Sequence, residues 1–198
     1  MIGKTILHWL MVRLGLHQPH TQTTEKERLL IEAYSKGKQL AVEIGVYEGR
    51  TTAILAGSIA DEGKVLAIDP FFSGRIGVSY GKLITYHYLK QKGLIHKVQF
   101  LEMLSHEAAL LVKAEIDFLF VDGDHSYEGI SRDWNDWSGK IKPGGYVALH
   151  DTSIPNHDPN VSGLGSFKYF NEVIKQDERF DWITAVDSLN ILQRKVNI

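Results

Sequence analysis

From residue 39 onward the chain alternates short apolar runs with longer stretches of helical period, a rhythm that few folds accept. LAVEI (40–44), VLAID (65–69), VQFL (98–101), IDFLFVD (116–122) and YVALHD (146–151) are brief, rich in Val, Ile, Phe and Leu, and apolar on both faces. Parallel strands covered by helices on either side have this composition. Helical spacing fills the gaps at 50–60, 80–92, 105–114 and 126–138, the last with Tyr127, Ile130, Trp134 and Trp137 on one stripe. The alternation predicts a doubly wound α/β sheet with helices on both faces. Beyond it, Phe167, Phe170 and Ile174 mark another helix, and WITAV and LNILQ around Asp187-Ser188 read as a closing antiparallel hairpin.

Ahead of this rhythm lies a different one. Ile6, Leu7, Leu10, Met11 and Leu14 predict an amphipathic helix over 2–15, with Lys4, His8 and Arg13 off its apolar stripe. That stripe is expected to dock on the domain or on a second copy, making a homo-oligomer; lying on a membrane surface is the alternative. HQPHTQT (17–23) reads as a linker. Thr24 with Glu27 forms a capping box for a helix carrying Leu29, Leu30, Ala33 and Tyr34, which Gly37 ends. The expected division is an N-terminal helical extension, 1–37, and one domain, 38–198.

A chain of 198 residues with 43% hydrophobic content can bury roughly 70% of its unfolded surface, so one core suffices without staples. It contains no Cys, which excludes disulfides, thiolate metal sites and Cys nucleophiles, so any metal must sit on oxygen or imidazole. The formal charge of -2 argues against nucleic acid as a partner. No apolar run approaches the roughly 20 residues of a membrane span, and no small-residue cleavage site follows the first helix. A cytoplasmic location is expected.

Ligands of open α/β sheets bind beyond the carboxyl ends of the strands. At the first such end, VEIGVYEGRTT, Gly45 and Gly49 flank a tight turn, and a helix starting near Arg50 offers free N–H groups to an anion. Thr51 and Thr52 add hydroxyls. The pattern is E-x-G-x-x-x-G, and Tyr47 stands where a dinucleotide site would have its second glycine. A ligand bearing a carboxylate and an ammonium suits this loop, with Glu43 facing the ammonium. Asp69 ends the next run 24 residues after Gly45, the spacing of an acid that accepts from ribose hydroxyls. A ribose carrying an amino-acid tail is S-adenosyl-L-methionine.

The later strands end in acids. Asp122 is followed by Gly123, Asp124, His125 and Ser126; Asp151 closes YVALHD after the turn Lys142-Pro143-Gly144-Gly145. If these strands are neighbours, about 4.8 Å apart, both carboxylates can converge on one hard cation such as Mg²⁺. His125 would then take the proton of a metal-bound hydroxyl as that oxygen attacks a methyl group. Asp124 or Ser126 may instead only cap the next helix. His150 is expected to point away, because side chains alternate along a strand. His8, His17, His20, His87, His96, His106 and His157 show no constellation and read mostly as surface residues.

These motifs, in this order over residues 39–152, resemble class I S-adenosylmethionine-dependent methyltransferases, specifically the family whose hallmark looks like VDGDHSYEGISRDWNDWSGKIKPGGYVALHDT. The resemblance implies a seven-stranded, mostly parallel Rossmann-like sheet with the last strand antiparallel. It implies that Glu43, Gly45, Tyr47 and Thr51 hold the methionine part, Asp69 the ribose and Ser105 the adenine. The block is also similar to catechol O-methyltransferase, which implies Asp122 and Asp151 as magnesium ligands and places His125 where that enzyme has its catalytic lysine. Macrolide sugar O-methyltransferases, similar in this block, have a histidine base there, which implies His125 as the base. Thr152 stands where that enzyme has an Asn ligand, and Leu101-Glu102-Met103-Leu104 replaces a glycine-containing turn. The implied activity is transfer of a methyl group to a hydroxyl of a small molecule or sugar. Two readings compete: a non-catalytic binding module with this fold, and a metal-dependent hydrolase using Asp122, Asp124, His125 and Asp151. The segment from Thr152 to Ser166 reads as a lid over the acceptor, and Tyr80, Tyr86, Trp134 and Trp137 as compatible with a sugar or phenol.

Overall fold

A computed structural model describes residues 2–74 and 77–196. The helices are α1 (Ile2–Arg13), α2 (Glu25–Ser35), α3 (Arg50–Ser58), α4 (Tyr80–Gln91), α5 (Ser105–Leu111), α6 (Tyr127–Trp137) and α7 (Gly165–Glu172). The strands are β1 (Leu40–Ile44), β2 (Lys64–Ile68), β3 (Val98–Leu101), β4 (Ile116–Val121), β5 (Ile141–Leu149), β6 (Phe180–Val186) and β7 (Leu189–Arg194). They form one seven-stranded sheet, β3-β2-β1-β4-β5-β7-β6, parallel except for β7, which runs against both its neighbours. This is the doubly wound Rossmann-like sheet that the resemblance implies. No helix among the described residues is long and apolar enough to cross a membrane.

Alternation sorts the strand residues into two cores. Val42, Ile44, Leu119, Val121, Val147 and Leu149 pack on one face with Trp134 and Trp137 of α6. Ala41, Phe118, Phe120 and Ala148 pack on the other with Ile31 of α2 and Leu55 of α3. Each fully buried Leu, Ile or Phe contributes about 1.5–3 kcal/mol, so two helix layers on one sheet are the arrangement that loses least apolar burial. Trp134 and Trp137 are therefore spent on the core, not on an acceptor pocket.

Two local expectations are corrected. Lys142–Gly145 does not precede β5 but lies within it; pairing begins at Ile141, and Gly144, at φ +78°, bulges the strand against β4. The local bend is real, yet the ladder continues through it. On α1 the leucine stripe faces outward: Leu7, Leu10 and Leu14 are exposed, whereas Val12 is buried and the helix packs on α4, with Trp9 edge-on to Tyr80. The side that docks is fixed by polar His8 and aromatic Trp9, which a hydrophobic count passes over.

The chain reverses winding between β1 and β4, the switch point where such sheets bind ligands. Ile44 aligns with Ile68 and Val121, and Val121 with Leu149, so the strands end level. Ladder bonds continue one residue further: Gly45 N donates to Ile68 O, Asp122 N to Ile44 O and His150 N to Val121 O, at 2.9, 2.9 and 3.0 Å. Gly45, Asp69, Asp122 and His150 thus form a single row along the sheet's edge.

Candidate active site

Above that row lies a crevice of about 480 Å³. Gly45, Tyr47, Thr51, Asp69, Ser105, Asp122 and His125 all line it, together with Arg50, Phe72, Arg132 and Asp133. Gly45 sits at φ +88°, and a Cβ there would stand 2.1 Å from the carbonyl oxygen of Asp122. Only glycine lets β1 turn this close to β4. Gly49, also left-handed, lies outside the crevice, and its bare Cα admits Thr85 of α4. It starts α3 without a side-chain cap, leaving the first amides of that helix for an anion.

The Asp69 carboxylate organises this loop. Oδ2 accepts from Val46 N at 2.9 Å and Tyr47 N at 3.2 Å, and Oδ1 accepts from Phe71 N at 2.7 Å. Three of about four lone-pair positions are filled, so one remains for a further donor. Glu43, fully buried behind the loop, lines no part of the crevice; neither carboxylate oxygen has a hydrogen-bond partner. Burial, with Asp122 and Asp69 nearby, pushes its carboxyl well above the usual range. The Thr52 hydroxyl works the other way.

On the opposite wall, Ser105 donates its hydroxyl to Asp133, and burial raises the Asp133 carboxyl to about 6. Next to it the two strand-end acids meet. His125 Nε2 is 3.8 Å from Asp122 Oδ1, and its Nδ1 is 3.6 Å from Asp151 Oδ2. Ser126 is the N-cap of α6, accepting from Gly129 N at 3.0 Å, and Asp124 Oδ1 accepts from Ser126 N at 2.9 Å, so capping and site occupy one short segment.

The expectation for His150 fails. β5 stops at Leu149 and Asp151 adopts φ +53°, so strand alternation no longer holds: His150 turns toward Asp122, while Asp151 meets His125 and His150. His150 Nδ1 is 2.9 Å from Asp122 Oδ1 and 3.6 Å from Asp151 Oδ1. Its Nε2 lies 3.4 Å from Glu27 Oε2, an ion-pair contact. Despite deep burial, which works the other way, the surrounding Asp122, Glu27 and Asp151 hold this imidazole well above the usual histidine range. Glu27 also accepts from Ser188 N at 2.8 Å, Ser188 Oγ at 2.7 Å and Thr24 N at 2.7 Å. The capping box of α2 is therefore also the rear support of the aspartate pair, which the spacing Thr24-Glu27 alone does not reveal. Thr152 is buried and bonded to Leu149 O and Asn190, away from the pair.

The segment from Thr152 to Ser166 lines no part of the crevice. Its end is pinned: Ser166 N donates to His125 O at 3.0 Å, and Ser166 Oγ to Asp151 O at 2.7 Å.

A family model described as a methyltransferase domain matches residues 42–152, from β1 to the end of this acidic row. The chain belongs to that family. It carries a methyltransferase domain. Tricin synthase 1 from Oryza sativa subsp. japonica is 34% identical over 97 residues, covering 44% of this chain and 36% of that protein. A protein of Sinorhizobium fredii described only as uncharacterized is 29% identical over 145 residues, 67% of this chain and 14% of its own length. The methyltransferase thus spans about one seventh and about one third of these relatives. Among solved structures, the O-methyltransferase TomG from Streptomyces achromogenes in complex with SAM superposes with TM-score 0.67 at 15% identity, covering 98% of this chain and 90% of TomG. The O-methyltransferase from Bacillus cereus in complex with SAH gives 0.66 at 18%, covering 97% and 91%. At such identities these two likenesses speak to the fold.

Proposed function

We propose that this methyltransferase transfers the methyl group of S-adenosyl-L-methionine to a hydroxyl oxygen of a small molecule or sugar, with His125 as base and Asp122 and Asp151 as holders of a divalent cation such as Mg²⁺. The observation that carries this reading is His125 standing between two strand-end carboxylates at 3.8 and 3.6 Å, on the rim of the crevice that begins at Gly45. Two structures that share the fold are described as O-methyltransferases, which supports an oxygen acceptor.

The residues fit the donor. The uncapped start of α3 offers amides to a carboxylate, and Asp69, lining the crevice, keeps one acceptor position for a ribose hydroxyl; Glu43 lies buried behind the loop and would act on the ligand only at a distance. When bound, the donor supplies an electrophilic methyl on a sulfonium sulfur. As the acceptor oxygen bonds to that carbon and the carbon–sulfur bond breaks, releasing S-adenosylhomocysteine, the hydroxyl proton moves to a ring nitrogen of His125. The imidazolium so formed is stabilised by Asp122 and Asp151 on either side.

For the cation, two carboxylates are the usual protein share of a Mg²⁺ site; Asp122 and Asp151, which both flank His125 and His150, would hold it, and the ion when bound would lower the acceptor's pKa. A second reading rests on His150, whose Nδ1 stands between them, 2.9 Å from Asp122 and 3.6 Å from Asp151. There the imidazole does the ion's electrostatic work and no metal is needed.

One experiment separates these. The chelator-treated protein is given S-adenosylmethionine and a panel of phenols and sugars, and S-adenosylhomocysteine is measured with and without Mg²⁺. Turnover restored by Mg²⁺ and lost in Asp151→Asn supports the cation; turnover indifferent to chelator supports His150. His125→Ala is expected to lose roughly 10²–10⁴-fold with cofactor binding intact. Normal cofactor binding without transfer to any hydroxyl overturns the proposal.

A further inference from the structure

The histidines that carry no pattern in the sequence do not all stay on the surface. α1, the 17–23 linker and the glycine loop bring His8, His20 and Glu48 together, with one potential ligand atom from each lying within 4.8 Å of the others. Glu48, one residue beyond Tyr47, is buried at 7% exposure. Its Oε2 lies 2.9 Å from His8 Nε2 and accepts from His20 N at 2.5 Å, while Oε1 is 3.5 Å from His20 Nδ1.

A buried carboxylate needs a compensating cation. Among the described residues no Lys or Arg pairs with Glu48; its only charged-type partners are these two imidazoles. The rings stack on each other, centroids 3.7 Å apart and planes within 3°. Neutral imidazole is the form that ligates a metal.

We infer that His8, His20 and Glu48 form a binding site for a divalent transition-metal ion of the Zn²⁺ class, separate from the Asp122–Asp151 pair, that fastens the N-terminal segment to the cofactor loop. Two imidazoles and one carboxylate are a donor set for Zn²⁺ or its neighbours and not for Mg²⁺, which takes oxygen. The two nitrogen-to-oxygen separations, 2.9 and 3.5 Å, bracket the roughly 3.3 Å edge of a tetrahedron with bonds of about 2.0–2.1 Å. Lone pairs lie in the ring planes, so parallel rings cannot both aim at one ion; His20, largely exposed on the linker, must tilt out of the stack. His17, its ring 5.9 Å from that of His8, stands in reserve.

Three protein ligands leave a fourth position. All three line a second hollow of about 530 Å³, which shares His20, Tyr47, Asp69 and Phe72 with the crevice. The open position therefore lies on the rim between the two spaces, where a water or an anionic group of an acceptor can complete the shell.

The test uses the full chain and Zn²⁺ alone, titrated against a competing chelator, with Co²⁺ absorption reporting ligand geometry. The expected result is one Zn²⁺ per chain and a tetrahedral Co²⁺ spectrum. Affinity should fall at least about tenfold in His20→Ala and in Glu48→Gln, the size seen when even outer-shell partners are lost. Because His20 is exposed, His20→Ala keeps the fold and the comparison valid where Glu48→Gln fails to fold. Asp151→Asn should leave Zn²⁺ affinity unchanged. No stoichiometric Zn²⁺, equal affinity in His20→Ala, or a loss confined to Asp151→Asn each overturns the inference, and none of these bears on whether methyl transfer occurs.

Discussion

The two walls of the crevice are built by different means. Along β1 and β2 the instrument is backbone: a left-handed glycine, a helix start without a cap, and three amides gathered on Asp69. Along β4 and β5 it is ionisable side chains: half-buried Asp122 and His125 on the crevice, with Asp151, buried His150 and buried Glu27 behind them. A wall of amides has a fixed polarity and answers to sterics. A wall of ionisable groups keeps its shape only while each partner holds its charge, which makes it tunable and vulnerable to pH.

The sharpest way to break this contrast is Glu27→Ala. It removes the acceptor of two Ser188 bonds and of Thr24 N, and it strips the buried His150 of a counter-charge. A loss of about 3–5 kcal/mol is expected by denaturant unfolding, as when one partner of a buried pair is deleted. Glu27 is lowered from 4.5 to about 2 in the folded protein, so its contribution is complete above pH 4.5 and fades as pH falls toward 2. The difference between wild type and variant should therefore shrink on acidification across that window; a constant difference would leave the charge out of the account.

Gly45→Ala strikes the other wall. Its Cβ, 2.1 Å from Asp122 O, forces β1 and β4 apart, at about 3 kcal/mol from overpacking and left-handed strain. This cost should not vary with pH between 5 and 8, and cofactor affinity measured calorimetrically should fall with it. A marked pH dependence would erase the distinction between the walls.

Asp133→Asn gives the smallest and most instructive effect. The carboxyl is raised from 3.8 to about 6, so the native state prefers the proton, and stability declines as pH rises through that interval. At pH 8 the penalty is at most roughly 3 kcal/mol, and the amide, which still accepts from Ser105, removes it. The variant should melt higher than wild type at pH 8 and like it near pH 4.

Much of this was readable from residue order alone. The residues at or just beyond the strand ends, Gly45, Asp69, Asp122 and Asp151, were legible because a parallel strand announces itself by an apolar run whose end is marked by glycine or an acid. His150 was misread because the period of two ends where the strand does, at Leu149, and beyond it, with Asp151 at positive φ, His150 turns toward Asp122. Glu27 was legible only as a cap. Its partners Ser188 and His150 lie 161 and 123 residues away, and no periodicity carries that distance. The His8, His20 and Glu48 cluster escaped for the same reason, since it joins a helix, a linker and a loop. On α1 the leucines pointed to the wrong face because docking there depends on His8, Trp9 and Val12.

One small turn ties the molecule together in time as well as in space. Ser188, between β6 and β7, holds Glu27 through its amide and hydroxyl and receives the amides of Thr152 and Ser153 on its carbonyl, at 2.9 and 3.1 Å. It is translated after every residue it fastens. A nascent chain that has made all its crevice residues still lacks the two Ser188 bonds to Glu27, so the support behind His150 is complete only when the last hairpin closes the sheet.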